Sequence, residues 1–320
     1  MITATLKSRL QEDICLMLSL DNHAFNYLCD CGFGSDLSVK DCRDTAAIFI
    51  SHTHIDHFIN FDQVMRHQLG VGRCVVVCGP AGLAENVQHK LLAFNWNLMQ
   101  NDEMAVRYEV RELHPDGRIL RYLLETPTWL LAKLPDMEGS EIYRNEVFSV
   151  MAVALDHGID CIAYRFACHP KLNMRVENCP YKPGKWMAEL KVAYLLQDPE
   201  RSIVVDSNTT AFASNLFHYL HEEPGYVTCY VMDHAATQEN FTKIKTLCQD
   251  ADEVYVEAYY SLEDAELAER NKHSMATVSG KVLREAGAKK AVPIHFSRRY
   301  QDAEGQAKLL AEFDAAFLGE

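Results

Sequence analysis

The run Ser51-His52-Thr53-His54-Ile55-Asp56-His57 holds four side chains able to bind a metal ion, directly behind the apolar segment Ala46–Ile50. On a turn after a strand, His52 and His54 can project into one pocket. Asp56 and His57 come from the next turn and can face a second position. Imidazole nitrogen with carboxylate oxygen is a donor mix that zinc accepts. Three histidines and an aspartate this close would repel one another's protons and cost desolvation without a cation to organise them. A metal held by such groups activates water for hydrolysis. A surface histidine cluster is the alternative, but the apolar strand just before the run argues against it. There is no GxSxG nucleophile elbow and no GxxxxGK[ST] phosphate loop, and Gly32-Phe33-Gly34 is too short for a nucleotide fingerprint.

Short β-rich runs dominate the first half: Phe25–Cys31, Ala46–Ser51, Cys74–Gly79, Ala105–Val110, Arg118–Leu124 and Val147–Leu155. The second half alternates. Strand-like Ser202–Val205, Thr228–Met232, Glu253–Val256 and Ala291–Ile294 are followed by helical patterns over Ala211–Leu220, Glu239–Gln249, Ala276–Ala286 and Ala303–Leu318. Strands alternating with helices predict a layered α/β fold. Pro170, Pro180, Pro183 and Gly184 predict an irregular excursion over 168–192 within an otherwise single domain spanning 1–320.

The H-x-H-x-D-H run behind a hydrophobic strand resembles the signature of the metallo-β-lactamase superfamily. The resemblance implies an α/β, four-layer αββα sandwich and further site residues in a fixed order. Their counterparts here are Asp30 in Leu28-Cys29-Asp30-Cys31-Gly32, His157 in Leu155-Asp156-His157-Gly158, Asp206 after Ile203-Val204-Val205, and His295 after Ala291-Val292-Pro293-Ile294. Each stands where a strand-like segment finishes, the usual place for sites in open α/β sheets. Taken alone, an aspartate after a strand is usually a helix cap or turn residue, and His157 would read as a core histidine.

Three further segments resemble the ribonuclease Z branch, endonucleases that trim the 3′ ends of precursor tRNA. They are Asp156-His157 followed by Ala163-Tyr164-Arg165; Glu257-Ala258 with His273-Ser274 and His295-Phe296-Ser297-Arg298-Arg299-Tyr300; and Lys171-Leu172-Asn173 with Lys182-Pro183-Gly184 and Trp186. The last looks like a shortened substrate-gripping arm. The chain departs from the branch at Ile55, where glycine is usual, and after it, where Asn60-Phe61-Asp62-Gln63 replaces a Gly-Leu-Pro-Gly run. Val256 and Tyr259 stand for an expected histidine and threonine.

The resemblance implies a binuclear phosphodiesterase. His52, His54 and His157 would hold one divalent metal, Asp56, His57 and His295 the other, and Asp206 would bridge them. The pair would share a hydroxide and clamp the oxygens of an in-line displacement. Zinc is the expected metal, with manganese or iron as alternatives. Asp56 could also steer the proton of that hydroxide, and Asp30 would orient a ligand histidine. His273, supported by Glu257, is the candidate to protonate the leaving oxygen; the alternative is a histidine that only opens a helix. Arg298 and Arg299 are candidates to contact phosphate. The branch also implies a homodimer. Two other readings compete: a thioester or lactone hydrolase of the glyoxalase II type, and a binding protein with a degenerate site. Asp156-His157-Gly158-Ile159, where a glyoxalase II has Gly-His-Thr, speaks against the first, and the intact ligand set against the second.

A formal net charge of −14 over 320 residues argues against sequence-blind attraction to nucleic acid. The local exception is 168–192, where Lys171, Arg175, Lys182, Lys185 and Lys191 outnumber Glu177 and Glu189; a solvated loop would look the same. Eleven scattered cysteines without a CxxC pair suit a reducing cytoplasm better than a disulfide framework. The first twenty residues include Gln11, Glu12 and Asp13 and do not read as a signal peptide, and no stretch approaches the length of a membrane span.

Overall fold

Cys74-Val75-Val76-Val77-Cys78 has no polar face to offer water, and it becomes an inner strand, as such runs do in sheets covered on both sides. The computed structural model describes every residue except Met1, Gln11, Ser35, Val176 and Asn178. Its first sheet has eight strands, adjacent in sequence and in space: β1 (Ile2–Leu6), β2 (Leu16–Leu20), β3 (Asn26–Cys29), β4 (Thr45–Phe49), β5 (Cys74–Pro80), β6 (Arg107–Leu113), β7 (Arg118–Glu125) and β8 (Ala132–Glu138). β3 to β6 run parallel. Parallel neighbours need crossover connections, supplied by α1 (Val39–Asp44), α2 (Ile55–Phe58), α3 (Phe61–Gln68) and α4 (Leu83–Leu92). Val64 and Met65 of α3 and Val87 and Leu91 of α4 share one buried cluster with Ile48, Val75, Val77 and Val110 of the strands.

The second sheet begins with β9 (Glu141–Arg144), β10 (Phe148–Asp156) and β11 (Asp160–Cys168). The chain then forms a separate compact unit, Cys168–Gly225. This contains β12 (Lys171–Met174), α5 (Trp186–Leu195), β13 (Ser202–Asp206), β14 (Thr209–Phe212) and β15 (Leu220–Glu223), with β12 paired to β15 and β13 to β14. Trp186, Leu190 and Ala193 of α5 close its small core with Ile203, Val205, Ala213 and Leu216. The helix expected over Ala211–Leu220 is absent: Thr209–Phe212 pairs as a strand, and two short 3-10 turns follow. Pairing with β13 satisfies the backbone there, and Ala213 and Leu216 reach the core from turns. The excursion expected over 168–192 lies inside this longer unit.

The chain resumes with β16 (Val227–Val231), α6 (Gln238–Leu247), β17 (Glu253–Glu257), α7 (Ala265–Asn271), α8 (Ala276–Glu285), β18 (Ala291–Ile294) and α9 (Ala303–Leu318). The second sheet has the order β18-β17-β16-β11-β10-β9, with β16 to β18 parallel. Its helical cover buries Ile244, Leu247, Leu283, Leu309 and Phe313 together with Val231, Val254 and Val256.

Between the sheets lies an aromatic layer. Phe49 of β4 meets Tyr143, Tyr164 and Phe166 edge to face, with ring centroids 5.6, 5.4 and 4.9 Å apart. The Tyr164 hydroxyl donates to the Ile50 carbonyl at 2.6 Å, tying β11 to the end of β4. Helices, sheet, sheet and helices make the expected αββα sandwich. Among the described residues no helix is long and apolar enough to cross a membrane. Truncating Phe49 opens a cavity where the sheets meet. Phe49→Ala should lower unfolding free energy by about 3–5 kcal/mol, read as a lower urea midpoint at constant slope.

Candidate metal centre

The site lies where strands of both sheets end. After β3, Asp30 adopts a left-handed φ of 58°, which aspartate tolerates better than most residues. Its carboxylate is fully buried and accepts four hydrogen bonds: Ser51 N at 2.6 Å on one oxygen, and Ser51 Oγ, His57 Nδ1 and Tyr230 Oη, each at 2.7 Å, on the other. His57 is thereby locked with Nδ1 donating, which leaves Nε2 for the site. α2 is also stitched to the segment before β2 by Ile14 N to Asp56 O, and to the segment after β3 by Cys31 N to His57 O, at 3.0 and 2.7 Å. Gly32 permits this approach, since a Cβ there would stand 2.1 Å from Asp56 O.

His52 and His54 lie on the extended segment after β4, with Asp56 and His57 in α2. His157 follows β10 at the hairpin turn closed by Gly158, and its Nδ1 is fixed by the Lys272 carbonyl at 2.7 Å. His295 follows β18 with a φ of 56°, an uncommon conformation that places its ring beside His57, centroids 4.8 Å apart.

One expected residue does not arrive. Asp206 ends β13 in the separate unit, with an exposed carboxylate that accepts from Asn208 N at 2.8 Å. The carboxylate at the centre of the histidines is Asp233. Asp233 Oδ2 lies 3.6 Å from His52 Nε2, 3.5 Å from His57 Nε2 and 3.5 Å from His157 Nε2. Oδ1 lies 3.0 Å from His295 Nε2, without the alignment of a hydrogen bond. Both aspartates follow strand-like runs. The signal that separates them is the next element: Asp233 follows β16, which leads into α6, whereas Asp206 enters a hairpin.

His52, His54, His157 and Asp233 bring ligand atoms within 4.8 Å of one another, and Asp56, His57 and His295 do likewise. His52 Nε2, His57 Nε2, Asp233 Oδ1 and both ring nitrogens of His295 are buried with no hydrogen-bond partner. Buried polar atoms left this way are costly, and cations between them would satisfy all but the outer His295 nitrogen. The donor set is imidazole and carboxylate, so the residues fit two divalent ions. Burial and the neighbouring His57 hold His52 far below the ordinary imidazole pKa, which keeps it neutral, the form that binds metal. For Asp233 burial favours the neutral acid, but the charges of His295 and His57 outweigh it and hold the carboxylate ionised.

A third group abuts these. Glu257, buried at the end of β17, accepts His273 Nδ1 at 2.8 Å on one oxygen, and His234 N at 2.7 Å and Ser274 N at 3.0 Å on the other. Burial works against a charge on His273, yet the Glu257 carboxylate raises its pKa above the ordinary value by charge and hydrogen bond. His234 supplies one of the backbone donors that hold Glu257 in place, and the neighbouring His273 holds its carboxylate ionised against burial. Beside Asp56 and His295 opens a cleft of about 450 Å³, lined also by Glu12, Asp13, Ile55, Ile59, Tyr259, Phe296 and Arg298. Arg298 pairs with Asp13 at 3.0 Å, and Arg299 stands 3.6 Å from Asp264. Arg165, in the Tyr-Arg pair, donates to the Leu247 and Gln249 carbonyls at the end of α6.

Fold and site together define a metallo-β-lactamase-fold protein. No protein-family model matches the chain. It is similar to ribonuclease Z of Deinococcus radiodurans, at 27% identity over 92% of this chain and 89% of that protein. It is also similar to ribonuclease Z of Thermobifida fusca, at 26% over 95% and 84%. Its fold matches the short form of human tRNase Z, with a TM-score of 0.57 and 16% identity over 93% of this chain and 94% of that one. A metallo-β-lactamase-fold protein of Bacillus subtilis matches at 0.57 and 13% over 99% and 93%. Within its class the chain is ribonuclease Z-like.

Asp233→Ala should strip bound metal, read by elemental analysis after gel filtration, whereas Asp206→Ala should keep it. Equal metal content in both variants would return the centre to an undetermined carboxylate. Asp30→Asn should weaken metal binding about 10–100-fold while the ligands remain.

Proposed function

We propose that this chain is a binuclear-metal phosphodiesterase of the ribonuclease Z type that cleaves precursor tRNA near its 3′ end. The observation that carries the reading is the Glu257–His273 pair set against the Asp233 cluster. A proton donor beside a cation site serves a displacement whose leaving group is a poor one, such as a ribose oxygen. A thioester gives a better leaving group and needs this pair less. The similarity to the ribonuclease Z proteins supports RNA as the substrate.

In this reading His52, His54 and His157 would hold one cation and Asp56, His57 and His295 the other, with Asp233 between the two groups. Zinc is favoured by the donor set, with manganese or iron as alternatives. Two such ions supply a nucleophile from water at neutral pH and neutralise charge on the phosphate oxygens. Asp30 holds the Nδ1 edge of His57, and the Lys272 carbonyl that of His157, so that each turns Nε2 to the centre. Asp56 lines the cleft and can accept the proton of the attacking water. Glu257 holds the Nδ1 edge of His273, which leaves Nε2 to give its proton to the leaving oxygen. Arg298 could reach a phosphate only by leaving Asp13.

Lys171, Arg175, Lys182 and Lys185 are exposed, and none is in an ion pair among the described residues, which supports RNA contact by the second unit. Buried thiols such as Cys15, Cys29, Cys31 and Cys78, none of them in a disulfide, support a cytoplasmic location. A homodimer completes the reading. Exposed Leu92, Phe94 and Leu98 support it, together with the apolar groove at Met65, Leu69 and Trp96. Sedimentation should give about twice the mass of the chain; a single-chain mass at micromolar concentration would remove the dimer.

The deciding test offers metal-loaded protein trailer-bearing precursor tRNA, bis-(p-nitrophenyl) phosphate and a glutathione thioester. Cleavage of the first two, lost on chelation and restored by added zinc or manganese, is expected. Turnover of the thioester with both phosphodiesters untouched would overturn the reading.

A further inference from the structure

Tyr259 stands where the resemblance leads one to expect threonine, and its ring does what a threonine could not. It lies flat on His273, with centroids 3.8 Å apart and planes within 5°. Three other groups flank His273. Tyr260 meets it edge on at 6.0 Å, His157 at 4.8 Å, and Glu257 takes Nδ1.

The backbone that carries Tyr259 is held on both sides. Ala258 N donates to Ile294 O, Ser297 N to Tyr259 O, and Ala276 N to Tyr260 O, at 2.9, 3.1 and 2.8 Å. Tyr259 therefore has little freedom to leave its place. Its ring also lines the cleft beside Asp56 and lies 5.2 Å from His295.

One hydrogen bond to Glu257 fixes a single point on the His273 ring and leaves it free to swing out of plane about that point. A stacked ring removes this swing. Proton transfer needs its donor aligned with the leaving oxygen, and a misplacement of about 1 Å can cost on the order of 100-fold in rate. We propose that Tyr259 is the positioning residue for His273: its ring, not its hydroxyl, holds the imidazole in the plane from which Nε2 reaches the leaving oxygen. This rests on the proton-donor role given to His273 under the proposed function.

The test compares kcat, KM and bound metal for wild type, Tyr259→Leu, Tyr259→Phe and His273→Ala. One substrate is trailer-bearing precursor tRNA. The other is bis-(p-nitrophenyl) phosphate, whose leaving group departs as a stable anion and needs no proton. Tyr259→Leu should lower kcat on the RNA about 10–100-fold, with KM and metal content held, and lower it far less on the nitrophenyl ester. Tyr259→Phe, which keeps the ring, should restore most of the RNA rate.

Equal losses on both substrates, lost metal, or full RNA activity in Tyr259→Leu would overturn the proposal. His273→Ala separates this failure from that of the underlying reading. If it spares the nitrophenyl ester while Tyr259→Leu does not, only the role of Tyr259 falls. If His273→Ala lowers both substrates equally, the proton-donor role falls and the inference with it.

Discussion

The carboxylate of Asp30 is cut off from water and must find its hydrogen bonds inside the protein. A buried carboxylate without partners costs several kcal/mol or gives up its charge. Asp30 meets this constraint with donors from two distant parts of the chain: Ser51 and His57 in the run after β4, and Tyr230 of β16 in the opposite sheet. Once these are fixed, the strand ends of both sheets have a set separation and His57 has one orientation. The remaining ligands are placed relative to it by their own strands.

Around Asp233 the same physics runs the other way. Imidazoles and carboxylates are crowded with several nitrogen and oxygen atoms lacking partners. A purely structural cluster would have paired them, as Asp30 does. Atoms left open in the midst of such a tightly satisfied network mark a place that cations would complete. The neighbouring Glu257 carries three donors of its own and turns one face of the cluster into a holder for His273.

Two departures from the ribonuclease Z pattern, Ile55 and Tyr259, line the cleft, whereas Val256 and Phe61 are buried in the core. Ile55 is 72% exposed on the wall of the cleft, where a glycine would leave the rim lower. Tyr259 lies on the same wall. Neither is among the groups that gather around Asp233.

Local pattern was enough for the strands of the sandwich, since runs such as Cys74–Cys78 and Ala46–Ile50 are apolar on both faces, and enough for the adjacent histidines, whose spacing is a property of one turn. His157, His295 and Glu257 were also legible, since each closes or follows a strand-like segment, whereas His273, between two helices, was picked out by the family resemblance. The choice between Asp206 and Asp233 was not. Both end β-rich runs, and only pairing in space separates them: β13 joins a two-stranded hairpin in its own unit, while β16 lies between β11 and β17. The same holds for Ala211 and Phe212, the start of the expected helix, which pair instead with a partner strand. Sequence periodicity reports which face of an element is apolar. Which element lies beside it, and so which carboxylate faces the histidines, is decided by long-range pairing that no local spacing encodes.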